Sequence, residues 1–206
     1  MNEEKYENFK VAFDIVIFTI HDNKLKLLLH VREKDPFLKK LELPGGLLLK
    51  DETADDSLKR KLKELIGQNT FFFKQFHTFT DPERDPRQRV ISIGYISLVN
   101  ILDVDDTTQW YDLNNINNLA FDHNKIALFA RDYLKKNANS DIVRQFLPEM
   151  FPLNKLQEIY EILEQKKYDN RNFRKKILNS NIVEETELLE QNVSHRPAKL
   201  FKFLND

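Results

Sequence analysis

The sequence predicts an α+β protein of two domains, a domain of mixed strands and helices over residues 1–138 and a smaller domain over residues 139–206. Strand-like apolar runs alternate with helical patterns in the first two thirds of the chain, whereas two closely spaced helical patterns dominate the last third. The polar residues 136–141 break the periodicity between these two regions. We therefore place the domain junction there.

The first predicted element is a β-hairpin. Residues 10–20 and 25–32 are largely apolar and strand-like, and the polar residues 21–24 between them suit a tight turn. The next element is a helix over residues 53–66, which has apolar residues at helical spacing and Gly67 at its C-terminal end.

Two further strands are predicted over residues 70–80 and 89–98, joined by the charged loop 81–87. After a short strand-like run at 110–111, Asp122 is positioned to cap a helix that continues to about Lys136. The residues expected on the inner face of that helix are Ile126, Phe129, Ala130 and Tyr133.

The second domain is predicted as a helix pair followed by a hairpin. An apolar stretch at 146–147 precedes a helix over 153–165, and Asp169 or Asn170 caps a second helix that runs to about residue 179. Residues 182–185 and 198–204 are expected to form two short strands. Together these elements have the outline of a winged helix-turn-helix.

The composition narrows the classes of function. The hydrophobic share of 41% suits a globular core, and the net charge of −1 gives no overall basicity. No apolar run approaches the length of a membrane span and the first residues are acidic, so we expect a cytoplasmic protein. The chain has no cysteine, and its five histidines lack ligand spacing. We therefore predict neither a metal site nor a cofactor.

The segment between residues 43 and 67 holds three of the four glycines in the chain, Gly45, Gly46 and Gly67. Its residues fall in register with the Nudix box at Gly46, Glu52, Arg60, Leu62, Glu64 and Gly67. The first domain therefore resembles the Nudix superfamily. The resemblance implies an α/β/α sandwich around a mixed sheet and a pocket for ligands that resemble nucleoside diphosphates.

The box departs from that family at the positions where active enzymes carry glutamates that bind Mg²⁺. Lys61, Glu64 and Leu65 stand there instead. Residues three apart share a helix face, so Lys61 can pair with Glu64 and place a cation where the metal would sit. We predict a non-catalytic domain. Glu52 and Arg60, with Gly67, are interpreted as the structural part of the box.

The predicted effector site comprises Gly45, Gly46, Lys61, Glu64, Arg84, Arg87 and Arg89. The glycines form the cradle, and arginines can hold a phosphate or carboxylate by forked hydrogen bonds at the pocket mouth. Such arginines also form surface ion pairs or dimer contacts. The loop can alternatively be a simple turn before a core helix, and Asp51, Asp55 or Asp56 could restore hydrolysis.

The second predicted helix of the C-terminal domain has a basic outer face. Phe173 and Ile177 point inward, which turns basic and amide side chains outward. Lys and Arg neutralise phosphates, and Arg or Asn can reach base edges. A solvated helix face is the alternative, and the acidic run 184–190 is expected to face away from DNA. The predicted DNA contacts are Lys167, Arg171, Asn172, Arg174, Lys175, Lys176, Arg196 and Lys199.

A second resemblance covers nearly the whole chain. Residues 172–177 and 195–203 resemble the recognition helix and wing of the Nudix-related transcriptional regulators, and residues 85–87 and 90–95 also fit their first domain. The resemblance implies a homodimer on palindromic operator DNA. It also implies a small-molecule effector, either ADP-ribose or another NAD-linked nucleotide, or a sugar such as arabinose.

These observations predict a ligand-responsive transcriptional regulator that acts as a repressor or an activator. Two other classes of protein remain open. One is an ADP-ribose or nucleoside-diphosphate pyrophosphohydrolase with a dimerisation module at its C-terminal end. The other is an adaptor without DNA binding, which leaves the basic helix face unexplained.

Overall fold

The structure is a computed structural model that describes residues 8–67, 71–104, 108–194 and 196–204. The N-terminal part contains β1 (Lys10–His21), β2 (Lys24–Leu28), β3 (His30–Val31), β4 (Leu41–Glu42), β5 (Gly45–Leu47), α1 (Ala54–Ile66), β6 (Phe72–Phe79), β7 (Val90–Leu98), β8 (Trp110–Asp112) and α2 (His123–Lys136). The C-terminal part contains α3 (Ser140–Val143), β9 (Phe151–Pro152), α4 (Leu153–Glu164), α5 (Asn170–Asn179), β10 (Val183–Leu189) and β11 (Lys199–Phe203).

The main sheet is mixed, as the sequence predicts. Its strand order is β6-β7-β1-β2-β8, and β5 also pairs with β1. β1 runs parallel to β7, with Ile15 opposite Tyr95, whereas its pairs with β2 and β5 are antiparallel. β1 therefore lies at the centre of the sheet and holds the glycine strand β5 against it.

Helices cover both faces of this sheet because successive residues of β1 point to opposite sides. Ile15 belongs to a core cluster with Leu58 of α1, and its neighbour Val16 belongs to a second cluster with Ile126 of α2. The predicted α/β/α sandwich is confirmed.

Both ends of α1 are defined by local chemistry. Thr53 and Asp56 form a capping box, in which the Thr53 hydroxyl accepts from the Asp56 amide and the Asp56 carboxylate accepts from the Thr53 amide. Gly67 adopts φ 75° after the last turn, and its amide donates to the Lys63 carbonyl. Gly67 thus ends the helix as predicted.

Two expectations about α2 are wrong. Asp122 stands at the N-cap position, but its side chain makes no capping hydrogen bond and accepts instead from Arg84. Phe129 is 44% exposed, because it packs at the margin of the sheet against the rings of His77 and Phe79.

The C-terminal part has the predicted helix pair and hairpin. α4 ends at Gln165, whose φ is 55°. α5 follows after a short turn, and the Asp169 carboxylate caps it by accepting from the Asn172 amide. Phe173 and Ile177 of α5 are buried on its inner face, as predicted. β10 and β11 form the hairpin, and β9 pairs with β11 to complete a three-stranded sheet.

One hydrophobic cluster extends through both parts of the chain, from Val16 of β1 to Phe201 of β11. α2 and α4 pack against each other at the junction. Among the described residues, no helix combines the length and the apolar character that crossing a membrane requires.

Candidate functional site

A cleft of about 160 Å³ opens beside the glycine strand. Its walls are formed by residues from β1, β5, β7, the loop before β7 and the start of α2. The cleft therefore lies where the glycines of the Nudix-like box pack against the sheet. Its lining includes Asp14, His30, Arg32, Glu42, Gly45, Gly46, Arg84, Asp85, Arg87, Phe121 and His123.

The close approach of β5 to β1 explains one glycine of the cradle. A Cβ atom on Gly45 would lie 2.3 Å from the Phe13 carbonyl oxygen, far inside van der Waals contact. At Gly46 the nearest atom would lie 3.8 Å away, an ordinary contact. The fold therefore requires glycine at position 45 for steric reasons and leaves room at position 46.

A buried ion-pair network forms the floor of the cleft. Arg84 is 8% exposed, and its Nη2 donates to Asp14 Oδ2 at 2.9 Å and to Asp122 Oδ1 at 2.8 Å. Its Nε donates to the second oxygen of Asp122 at 3.1 Å. Arg84 was expected at the pocket mouth. It instead lies on the floor and joins β1 to the residue before α2.

Asp14 is the carboxylate at the centre of this network. It accepts from the Ser92 hydroxyl at 2.6 Å, and its other oxygen lies 3.4 Å from His123 Nε2. Burial raises the pKa of Asp14, but His123, Arg84 and Ser92 together overcome that effect and lower the pKa to about 2. Asp14 is therefore ionised throughout the neutral range.

His123 connects the glycine loop to α2. Its Nδ1 accepts from the Leu43 amide at 2.9 Å. Because an accepting ring nitrogen carries no proton, the imidazole proton is on Nε2 and faces Asp14. A shift of the loop that carries Leu43 would thus stretch this hydrogen bond or move His123, the first residue of α2.

Two arginines and an aromatic ring form the rim of the cleft. The guanidinium groups of Arg32 and Arg87 lie 4.7 Å and 5.5 Å from the centre of the Phe121 ring. Arg32 also pairs with Glu42 at 2.8 Å and Arg87 with Asp85 at 2.7 Å. The rim therefore combines two arginines with an aromatic ring, and a carboxylate beside each arginine balances its charge.

The helix of the box carries its own ion pairs. Arg60 donates from Nε and Nη2 to the two oxygens of Glu52 at 3.0 and 2.9 Å, which joins the loop to α1. Lys61 Nζ lies 2.9 Å from Glu64 Oε2. The described residues contain no cluster of three or more acidic, histidine or cysteine side chains that could hold a metal ion.

Two nearby aspartates that could have restored catalysis have structural contacts. Asp55 accepts from the Tyr95 hydroxyl at 2.9 Å. Burial, followed by this hydrogen bond, raises the pKa of Tyr95 to about 12. Asp56 belongs to the capping box of α1.

The structure brings together only part of the predicted effector set. Gly45, Gly46, Arg84 and Arg87 line the cleft, whereas Lys61, Glu64 and Arg89 are absent from its lining. The guanidinium of Arg89 lies 5.3 Å from the centre of the Phe9 ring, and its buried Nη1 has no hydrogen-bond partner among the described residues.

Sequence reasoning missed Asp14, His123, Arg32 and Phe121 as lining residues of the cleft. One signal was available, because Asp14 is the only charged residue between positions 11 and 20 of an otherwise apolar strand. A charge in such a strand is rarely buried unless it is paired. The other residues become neighbours only through the tertiary fold.

The predicted DNA contacts lie on α5, on the turn before it and on the wing. Some of these side chains are already engaged in ion pairs or ring contacts within the protein, and others are not. Arg171 and Lys175 are exposed and have no ion pair within the described part of the chain. Arg174 and Lys199 both contact Glu185. Three more predicted contacts are Lys167, which pairs with Glu161 at 2.6 Å, Lys176, which lies over the Tyr168 ring, and the exposed Arg196.

Glu185 of the acidic run lies against two of the predicted DNA contacts, Arg174 and Lys199. The expectation that this run faces away from DNA stays a prediction. Successive strand residues point to opposite faces, and Glu184 pairs with Lys202 instead.

A larger cavity of about 540 Å³ lies between the two parts of the chain. Arg131 and Lys135 of α2 face Glu161 and neighbouring residues of α4 across it. None of the predicted effector residues lines this cavity.

Comparison with known families divides the chain in two. The NUDIX domain family matches residues 9–136, and the family described as NrtR DNA-binding winged helix domain matches residues 143–203.

Two curated proteins are similar in sequence. The ADPR responsive transcriptional repressor NtrR of Acinetobacter baylyi is 29% identical over 210 residues, which covers 96% of this chain and 83% of that protein. The ADP-ribose pyrophosphatase of Methanocaldococcus jannaschii is 38% identical over 120 residues, covering 53% of this chain and 66% of that enzyme.

The solved structures that are similar to this chain include one that matches across both parts. It is NrtR of Shewanella oneidensis complexed with a 27mer DNA, with a TM-score of 0.83 and 29% identity, and the match covers 94% of this chain and 93% of that one.

Proposed function

We propose that this protein is a repressor whose effector is ADP-ribose or a closely related NAD-linked nucleotide. The chain belongs to the NUDIX family and continues into an NrtR DNA-binding winged helix domain. It is a ligand-responsive transcriptional regulator. We further propose that the NUDIX domain binds this effector without hydrolysing it. Residues 1–138 form the effector domain in this proposal, and residues 139–206 form the DNA-binding domain.

The observation that carries the effector assignment is the pair of arginines around an aromatic ring at the rim of the cleft. Arg32 and Arg87 flank the Phe121 ring, and arginine forks suit phosphate oxygens while an aromatic face suits a base. An uncharged pentose has no anionic oxygen to pair with the arginine forks. Both curated relatives are named for ADP-ribose, one for responding to it and the other for cleaving it. These points favour a nucleotide over a sugar.

The cleft itself is small for such a ligand, but two depressions adjoin it. One shares His30, Arg32 and Glu42 with the cleft, and the other shares Arg84 and Phe121. A ligand with two phosphates and two sugars would extend from the cleft, which Gly45 and Gly46 line, into these neighbouring depressions.

Titration calorimetry with ADP-ribose, AMP and arabinose tests the effector. We expect ADP-ribose to bind and arabinose not to bind, and Arg87→Ala to weaken ADP-ribose binding about tenfold or more, as expected for loss of a charge-assisted contact. Lys74→Ala, on the distant edge strand β6, is the control and should leave binding unchanged. Binding of arabinose alone would refute the nucleotide assignment.

Two features support binding without cleavage. Lys61 stands where a metal-binding glutamate stands in active members and lies 2.9 Å from Glu64, and Leu65 replaces another carboxylate. A site with one carboxylate and an adjacent ammonium binds Mg²⁺ poorly, since Mg²⁺ relies on carboxylate oxygens.

The second candidate function is ADP-ribose pyrophosphohydrolase activity, which the 38% identity to the Methanocaldococcus jannaschii enzyme favours. Incubation of the purified protein with ADP-ribose and Mg²⁺ or Mn²⁺ separates the two. Our proposal expects no turnover, and turnover that disappears in Glu64→Gln would establish the enzyme instead.

We also propose that the regulator acts as a homodimer on a palindromic operator in the cytoplasm. Two-fold symmetry would place the two copies of α5 in successive major grooves about 34–36 Å apart. Effector binding would then change the spacing or tilt of these helices, and the effector must prefer one arrangement to do so. Release of a fluorescent operator duplex by ADP-ribose, measured by anisotropy, is the expected result.

A further inference from the structure

Glu185 of β10 joins the recognition helix to the wing. Its carboxylate forms a salt bridge with Lys199 Nζ on β11 and lies 3.8 Å from Arg174 Nη2 on α5. Arg174 also stacks over the ring of Phe201, with its guanidinium 5.6 Å from the ring centre. The hydrogen bond from Lys199 lowers the pKa of Glu185, so the carboxylate of the free protein is charged at neutral pH.

The contacts of Glu185 distinguish it from its neighbour. Glu184 points to the other face of the hairpin, where it pairs with Lys202 at 2.9 Å. Both glutamates are exposed and carry the same charge. Only Glu185 contacts α5, so a comparison of the two separates a local effect from an effect of net charge.

A carboxylate in this position opposes phosphate binding. Non-specific binding to DNA derives almost entirely from cations that neutralise phosphates and release counterions. Arg174 and Lys199 already share a carboxylate, so a phosphate must compete with Glu185 for them. Arg171 and Lys175 have no ion pair within the described residues and are free to meet DNA of any sequence.

We propose that Glu185 is a specificity-determining residue that withholds Arg174 and Lys199 from DNA of arbitrary sequence. The two cations are released only where base contacts from α5 bring the phosphates close enough to displace the carboxylate. This inference rests on the DNA-binding function and adds a residue that weakens binding to the wrong sites, a recognised route to specificity.

The test compares full-length Glu185→Gln with Glu184→Gln on a random-sequence duplex of about 30 base pairs, by fluorescence anisotropy at several salt concentrations. For Glu185→Gln we expect affinity to rise at least roughly threefold and the slope of log K against log salt to steepen by about 0.9 to 1.8, because one or two more cations meet phosphates. Glu184→Gln should stay within about twofold of wild type with an unchanged slope.

Selection from a random duplex pool measures specificity directly. We expect the duplexes that Glu185→Gln selects to show weaker base preferences at each position than those that wild type selects. Glu184→Gln should select the same sequences as wild type, with the same preferences. A third variant, Lys199→Gln, removes one of the two cations, so adding Glu185→Gln to it should steepen the salt slope by about half as much.

Unchanged affinity and slope in Glu185→Gln, or an equal gain in Glu184→Gln, would overturn the role of Glu185 while leaving DNA binding intact. A wild-type protein that enriches no sequence at all would overturn the DNA-binding function itself. Thermal unfolding curves check that each variant is folded. We expect all of them to fold, because each substitution lies at an exposed position.

Discussion

The ammonium of Lys61 lies 2.9 Å from the carboxylate of Glu64. The guanidinium of Arg60 lies 3.6 Å from the same carboxylate, so two cations flank it. The hydrogen bond from Lys61 keeps the pKa of Glu64 below its usual value. A divalent cation would have to displace both neighbours to reach this one carboxylate.

Restoring the missing carboxylates should therefore restore a metal site. We expect the double variant Lys61→Glu with Leu65→Glu to bind Mn²⁺ in calorimetric titrations, because three carboxylates would then share one helix face. Lys63→Glu, which also replaces a lysine by a glutamate at an exposed position of α1 and changes the charge by two units where the double variant changes it by three, should bind no metal. Equal Mn²⁺ binding by Lys63→Glu would show that net charge, and not the box, governs binding.

The two glycines of the cradle should respond differently to alanine. Gly45→Ala places a Cβ 2.3 Å from the Phe13 carbonyl, so β5 must shift, and we expect a loss of about 1–3 kcal/mol in the free energy of unfolding. Gly46→Ala meets only ordinary contacts and should cost less than about 1 kcal/mol. Urea unfolding curves of both variants test this, and equal losses would contradict the close approach of β5 to β1.

Asp14 should make the stability depend on pH. Its folded pKa of about 2 lies below its ordinary value of 3.8, so its contribution is full above about pH 5 and is lost as the pH falls toward 2. We expect Asp14→Asn to lower the free energy of unfolding by about 3 kcal/mol at neutral pH, because Arg84 loses one of two buried partners.

The difference between wild type and Asp14→Asn should shrink as the pH falls from 5 to about 2. Asp132→Asn breaks an exposed pair with Arg131 and should change stability by less than about 0.5 kcal/mol at every pH. A difference that stays constant down to pH 2 would mean that Asp14 is not the titrating group.

The outer face of α5 should govern operator affinity. Arg171→Ala and Lys175→Ala should each weaken binding and reduce the steepness of the log K against log salt slope by about 0.9, one phosphate contact apiece. Lys74→Ala on β6 again serves as the control. Undiminished affinity in both α5 variants would remove this helix from the interface.

Local patterns were enough to predict most elements of the fold. The capping residue Asp169 and the left-handed Gly67 act within a few residues of their own helices, so their positions in the sequence indicate where one helix begins and another ends. The pairing of Lys61 with Glu64 was predictable for the same reason, because both lie on one helical turn.

The floor of the cleft could not be predicted, because its contacts join distant residues. Arg84 binds Asp14, which is 70 residues away, and Asp122, which is 38 residues away. The expectation that Asp122 caps α2 failed because a buried guanidinium competes for its carboxylate. The position of Glu185 likewise depends on how β10 packs beside α5, which the charge run alone does not reveal.

The hydrophobic cluster that runs from Val16 to Phe201 has a consequence for how the molecule unfolds. Because both parts bury side chains in one cluster, neither can open without exposing apolar surface of the other. Heating should then melt the chain in a single cooperative transition, and an effector bound only beside β5 should raise the melting temperature of the winged helix as well. Excised alone, that winged helix would leave part of its core facing water.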